Sequence, residues 1–193
     1  MGRHRTFDVE KALDAALCVF WRKGYEGTSY VDLTDAAGVE RPALYAAFGN
    51  KEALFRQALA RYHERYLDFI PAALCLPTAR EVAEHILLRT AELNTRFPEH
   101  PGCLGVNGVV AGSDDAEPVR QALIEFRAAG QERLRERFQR AIDGGDLPPT
   151  ASPDALAAFL LAVTHGMAVQ AKAGFSREML EAVARQALVA FPG

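Results

Sequence analysis

The sequence predicts an all-α fold on three observations. Apolar residues recur at three- and four-residue steps in nearly every long segment, no β-branched run flanked by hairpin turns occurs, and short polar residues stand where helices need caps. With 193 residues, 49% of them hydrophobic and 24% charged, the chain can bury a sizeable core and has an ordinary globular composition. Disordered, collagen-like and low-complexity architectures are excluded on that ground.

The elements follow in order. Asp8 caps a first helix with apolar positions Ala12, Leu13, Ala16, Leu17 and Phe20, ended by Gly24 and Gly27. A short helix starts near Ser29, where Ser29 and Asp32 have capping-box spacing, and Gly38 supplies a left-handed stop. A second short helix runs from about Arg41 to Ala47, with Pro42 tolerated in its first turn. Asn50 caps a long helix expected to reach Phe69 and to break before Pro71. Thr78 to about Thr95 is amphipathic through Val82, Ile86 and Leu93, and residues 97–115, with two Pro and four Gly, read as a loop holding at most a short helix. Glu117 to about Asp143 carries Val119, Leu123, Phe126, Leu134, Phe138 and Ile142 on one stripe, with Arg133, Arg135, Glu136 and Arg137 outside it. Ser152 opens a further helix after Gly144-Gly145 and Pro148-Pro149, and the last runs from about Ser176 to Phe191. No internal repeat is visible.

Several function classes fall away. Cys18, Cys75 and Cys103 are too few and too scattered for a disulfide framework, and without a CxxC pair they argue against structural zinc. The basic start, Met1 to Arg5, runs into Asp8 and Glu10 with no apolar stretch, so no secretory signal is expected. The longest uncharged run, residues 155–171, contains Thr164, His165, Gly166 and Gln170; it is too polar for a membrane span and reads as a buried helix. A soluble, cytoplasmic protein is expected, with no cofactor, no metal and no membrane partner.

Residues 29–47 form two short helices around the tight turn Ala37-Gly38-Val39-Glu40, which is helix-turn-helix spacing and equally that of an ordinary helical hairpin. The residue types favour the former. Arg41, at the start of the second helix, suits a bidentate pair with guanine; Pro42 and Ala43 offer a small apolar surface for a thymine methyl; Tyr45 follows one turn later with a hydroxyl for a phosphate. Lys51 is an odd choice at a helix N-terminus, where the macrodipole disfavours a cation, and a bound phosphate would remove the conflict. Thr28, Ser29 and Tyr30 bring hydroxyls and backbone donors to another helix N-terminus. Up to Arg56 the chain has eight basic and eight acidic residues, so a nucleic-acid face depends on placement of charge rather than its excess.

The stretches Phe20-Trp21-Arg22-Lys23-Gly24-Tyr25-Glu26-Gly27-Thr28-Ser29, Ala36-Ala37-Gly38-Val39 and Leu44-Tyr45-Ala46-Ala47-Phe48-Gly49-Asn50-Lys51-Glu52-Ala53-Leu54 closely resemble the DNA-binding domain of TetR-family transcriptional regulators, over roughly residues 7–56. The resemblance implies a three-helix DNA-binding domain, residues 1–56, and a helical effector-binding and dimerisation domain, residues 57–193. It implies a homodimeric one-component repressor, not an enzyme, that binds a double-stranded, near-palindromic operator and is released by a small molecule. Positions matching Arg41, Pro42, Ala43 and Tyr45 would line the groove; those matching Thr28, Ser29 and Lys51 would hold phosphates; Phe20, Val39, Leu44 and Phe48 would form the small core. Arg3 and Arg5 resemble the basic arms that some members lay in the minor groove. The rival is a helical small-molecule-binding or catalytic protein that has lost DNA binding.

The second half is less explicit. Its expected cavity walls are Phe69; Ile86 and Leu87; Cys103, Val106, Asn107 and Val110; and Phe126, with Phe159 and His165. With no charged side chain among them, the expected effector is neutral or weakly polar. No cationic residue adjoins Cys103 in sequence, which favours a small hydrophobe at a pocket edge over a reactive thiol. His165 reads as a ligand contact or a satisfied core histidine, and Glu81 with His85 as a two-residue metal pair or a solvated face. A seam of Leu180, Val183, Ala184, Ala187 and Leu188 on the last helix, beside the uncharged helix, is expected to form a four-helix dimer interface, the alternative being burial within one subunit.

Overall fold

The computed structural model describes residues 8–107 and 116–192, which hold ten helices and no strand. Val110, Arg3 and Arg5 from the expected sites lie outside them. The helices are α1 (Val9–Lys23), α2 (Tyr30–Ala37), α3 (Arg41–Phe48), α4 (Lys51–Tyr66), α5 (Phe69–Ala73), α6 (Ala79–Arg96), α7 (Leu104–Asn107), α8 (Glu117–Asp143), α9 (Pro153–Lys172) and α10 (Arg177–Val189).

Local chemistry sets most boundaries. Asp8, Ser29, Asn50, Thr78, Ser152 and Ser176 each accept a backbone N–H from the first turn of the helix they precede. Ser29–Asp32 and Thr78–Glu81 are complete capping boxes, which also gives Glu81 a structural role in place of the metal-pair reading. Gly38 closes α2 in the left-handed conformation, at φ +65°.

Two expectations about the middle of the chain change. The long helix stops at Tyr66 rather than Phe69, and Pro71 does not break it but sits inside α5. Pro71 is the third residue of that helix, where a backbone N–H has no intrahelical partner to lose. Arg137, expected outside the apolar stripe, is buried: its Nε donates to the carbonyl of Leu74 (3.1 Å) and its Nη2 to those of Leu76 (2.8 Å) and Pro77 (3.1 Å). The guanidinium thereby serves three carbonyls of the turn that follows α5.

Two cores result. The first joins α1, α2, α3 and α4 through Phe20, Leu33, Leu44, Phe48 and Phe55, and continues along α4 to Tyr62 and across to Leu104 and Leu123. The second joins α6, α8, α9 and α10 through Val82, Phe138, Leu160 and Leu180. Trp21, fully buried, stands where the two halves meet. Its Nε1–H donates to the carbonyl of Gly102 (2.8 Å), and its ring centroid lies 4.7 Å from that of Tyr62 and 4.5 Å from that of His100. Gly102 has φ +85°, and a Cβ there would meet the Ala168 carbonyl at 2.8 Å, so only glycine fits. Asn107 Nδ2 donates to the Trp21 carbonyl (3.4 Å) and Lys172 Nζ to that of Arg22 (2.7 Å), fastening the C-terminal end of α1 to α7 and α9.

Candidate nucleic-acid interface and ligand cavity

Leu33, Leu44 and Phe48 turn inward and lock α2 and α3 onto α1, leaving Arg41, Pro42, Tyr45, Ala46 and Ala47 exposed on α3. Apart from Arg41 and Tyr45 this face is built of small side chains, which allow close approach to a groove floor. Ala46 was not anticipated, although it stands one turn beyond Pro42 and Ala43. Arg41 is folded back along the surface onto two tyrosines. Its Nη2 donates to the Tyr45 hydroxyl (3.0 Å), and its Cζ lies 4.2 Å above the Tyr30 ring. The Tyr30 and Tyr45 rings stack at 5.2 Å, and the Tyr30 hydroxyl accepts the backbone N–H of Lys51 (3.2 Å), joining the starts of α2, α3 and α4.

Thr28 departs from expectation. It is buried and its hydroxyl donates to the Gly24 carbonyl (2.6 Å), so it shapes the turn from inside rather than presenting oxygen to a phosphate. Ser29 remains exposed at the start of α2, its side chain engaged with Asp32. Asp32 in turn pairs with Lys23 Nζ (2.5 Å); that contact, with the Ser29 hydrogen bonds, holds its carboxyl well below the usual range. Lys51 finds an internal answer to its unfavourable place at a helix start. Its Nζ lies 4.4 Å over the Tyr25 ring, and burial lowers its pKa against the opposing fields of Glu26 and Asp32.

A cavity of about 110 Å³ opens between α4, α6, α7, α8 and α9. Phe69, Ile86, Cys103, Val106, Phe126 and His165 line it as expected. Three expected wall residues do not. Leu87 is buried in the second core, one step round α6 from Ile86; Asn107 gives its amide to Trp21; Phe159 is 37% exposed on the outside of α9. The expectation of an uncharged wall also fails, because Arg127 and Arg133 of α8 line the cavity, together with Asn94, Thr90 and Thr164. Thr90 and Asn94 were legible, lying four and eight residues beyond Ile86 on one helix face. Cys103 thus shares its wall with a guanidinium brought from a distant helix, which its own sequence neighbours gave no sign of. Among the described residues no cluster of three potential metal ligands occurs.

Burial and cationic neighbours keep the histidines here neutral. His63 stacks on Phe126 (3.5 Å between centroids), and burial, helped by the charge of Arg133, lowers its pKa from 6.5 to about 4. Burial followed by Arg127 lowers His165 in the same sense. The unfolded chain therefore binds more protons than the folded one once the pH drops below 6.5, and His63 removes stability progressively down to about pH 4. Urea unfolding followed by circular dichroism should show a falling midpoint between pH 7 and pH 4.5, and His63→Gln should flatten that slope. An unchanged slope in the variant would remove His63 as its source.

The exposed apolar residues gather elsewhere. The seam on α10 is not an outer face: Leu180 and Ala184 are fully buried, against α6 within the same subunit. Of the seam's residues, Val183 faces out, with Met179 beside it on α10 and Phe159 and Val169 on α9. α9 is long and apolar enough to cross a membrane by composition, but only 33% of its most apolar stretch is buried in the subunit, so the helix read as buried has one uncovered side.

Comparison with known proteins gives this arrangement a context. Residues 12–58 match the model for bacterial regulatory proteins of the tetR family, and residues 76–187 match a tetracyclin repressor-like C-terminal domain. The chain is 37% identical to the HTH-type transcriptional repressor ComR of Escherichia coli, over 99% of this chain and 92% of that one. It is 31% identical to the repressor BdcR of the same organism, over 96% and 90%. A cysteine-substituted mutant of the TetR family transcriptional regulator CifR, complexed with 26-base-pair double-strand operator DNA, superposes with a TM-score of 0.92 at 42% identity, covering 99% of this chain and 100% of that one. With both halves matched by family models and full-length relatives above 30% identity, the chain belongs to the TetR family of bacterial transcriptional regulators.

Proposed function

We infer that this protein is a one-component transcriptional repressor: a homodimer that binds a near-palindromic operator and releases it when a small molecule occupies the α4–α9 cavity. One observation carries the reading. The exposed face of α3 is small except for Arg41 and Tyr45, on a scaffold closely similar to that of a relative complexed with operator DNA. Residues 1–56 would serve as the DNA-binding domain and residues 57–193 as the sensing and dimerising one, with α4 running from one into the other. The proposed contacts are Arg41, Pro42, Ala43 and Tyr45 in the major groove, and Ser29, Tyr30 and Lys51 at phosphates. Thr28 would act by shaping the turn, and Arg3 and Arg5 as a minor-groove arm. We read the protein as a regulator working in the cytoplasm, without a catalytic function of its own. The alternative, a helical binding or catalytic protein that has abandoned DNA, leaves the Arg41–Tyr45–Tyr30 arrangement without a purpose.

Selection of bound sequences from a random DNA pool tests the reading, and a pool with no enriched palindrome would refute it. On the enriched operator, Arg41→Ala should cost about 1–3 kcal/mol and relax preference at one base pair per half-site. Lys51→Ala should weaken every sequence alike and flatten the salt dependence. An unchanged base preference in Arg41→Ala would show that α3 is wrongly placed in the groove.

A further inference from the structure

We propose that the cavity takes a small organic anion, a carboxylate on a short apolar body, whose charged end is held by Arg127 and Asn94. The proposal rests on the cavity's sensing role inferred above and goes further by assigning the chemistry of what is sensed.

Three residues of the cavity wall hold a buried polar group without a partner: Asn94, Arg127 and, at its hydroxyl, Tyr62. Asn94 is 1% exposed, and its Nδ2 makes no hydrogen bond within the protein. Arg127 donates from Nη2 to the Gly105 carbonyl (2.8 Å), while its Nε is buried and unbonded. Buried donors are costly to leave unmade, and a partly buried cation more so when nothing balances it. Among the described residues no Asp or Glu lines the cavity, and Arg133 adds a second positive charge. The charges felt by the two nearby histidines are those of Arg133 and Arg127, and burial lowers the pKa of Arg127 itself. One carboxylate would supply both the missing acceptor and the missing charge, since a carboxylate accepts several N–H donors and pairs with the planar edge of a guanidinium.

The rest of the wall sets the body of the ligand. Phe69, Ile86, Leu93, Phe126, Leu134 and Leu161 are apolar. At about 110 Å³ the space equals about four water volumes and is smaller than the ~150 Å³ cavity that admits benzene. A chain of a few carbons fits; a long acyl chain does not. The anion would also reach the interdomain contact. The guanidinium that holds it is anchored on Gly105 of α7, and Asn107 of the same short helix holds the end of α1.

The test compares each acid with its uncharged isostere on the dimer at neutral pH: propanoate with propanamide, and butanoate with butanamide, by thermal shift and calorimetry. The acids should bind at least about tenfold more tightly than the amides. Arg127→Met should abolish that preference, and Asn94→Leu should weaken the acid more than the amide. Because either variant could fail to fold, the acid–amide comparison in the native protein stands by itself. Equal binding of acid and amide, or of neither, overturns the assignment. Operator titration separates this from the parent reading: acids that bind without releasing DNA refute sensing but keep the anion site, and amides that release DNA while acids do nothing do the reverse.

Discussion

Replacing Trp21 by alanine is expected to lower stability by about 3–5 kcal/mol, a large share of the roughly 5–15 kcal/mol that a domain has in total. The ring is fully buried among Tyr62, Tyr66, Phe97 and His100 at the junction of the two halves, and its removal leaves a void lined on both sides. It also leaves the carbonyl of Gly102 without the indole N–H at 2.8 Å. Trp21→Phe keeps most of the buried surface but not that hydrogen bond, so it should be milder for stability while still loosening the hold of α7 on α1. The protein has a single tryptophan, so unfolding of the variants should be followed by circular dichroism, with the native fluorescence as an independent report on this junction. A Trp21→Ala midpoint close to the native one would mean that the two halves fold without leaning on this contact.

The double substitution Phe159→Glu, Val183→Glu should give a folded monomer whose operator affinity is about 100- to 10,000-fold lower, the loss expected when two linked half-site contacts become independent. Both residues are exposed, 37% and 39%, on neighbouring helices α9 and α10, and both are apolar. Such a patch is what a two-fold interface must bury. Sequence pattern alone directs attention to Leu180 and Ala184 instead, but carboxylates at those fully buried sites would unfold the subunit rather than separate two of them. Light scattering at micromolar concentration should show the native dimer and the variant monomer, with unchanged helical content. A variant that stays dimeric would put the two-fold axis on another face.

These cases show what could be read from the chain and what could not. Six helix starts were legible because a cap is a local event: Asp8, Ser29, Asn50, Thr78, Ser152 and Ser176 each reach a backbone N–H within a few residues. The exposed residues of α3 were legible because Pro42 and Gly38 fix the turn and the spacing fixes the face. The end of α4 was not, because no glycine or proline stands at Tyr66 and Pro71 is harmless in a first turn. Nor was the element that covers the apolar seam of α10, because its partner α6 lies about ninety residues earlier in the chain. The polar end of the cavity was hidden for the same reason. Asn94 and Arg127 become neighbours of one space only after α6 and α8 are brought together, and a periodicity argument that seeks apolar walls passes over them.

α4 gives the cavity mechanical advantage. Its 16 residues make a rod about 24 Å long, with Lys51 at the end nearest α3 and Tyr62 in the cavity wall. Arg61 and Arg65 clasp Asp14 at 2.8 Å each, which ties α1 to α4 beside Tyr62, so that the two would turn together about that point. A rotation of about 10° there would carry the far tip, about 16 Å away, by about 3 Å, and two levers moving oppositely about a two-fold axis would change the recognition-helix spacing by about 6 Å. Set against the ~34 Å of one DNA turn, that is a misalignment of roughly a fifth of a turn. If the cavity senses as proposed, a ligand of a few carbons has only to shift its wall by about an ångström for both halves of the clamp to lose step with the groove.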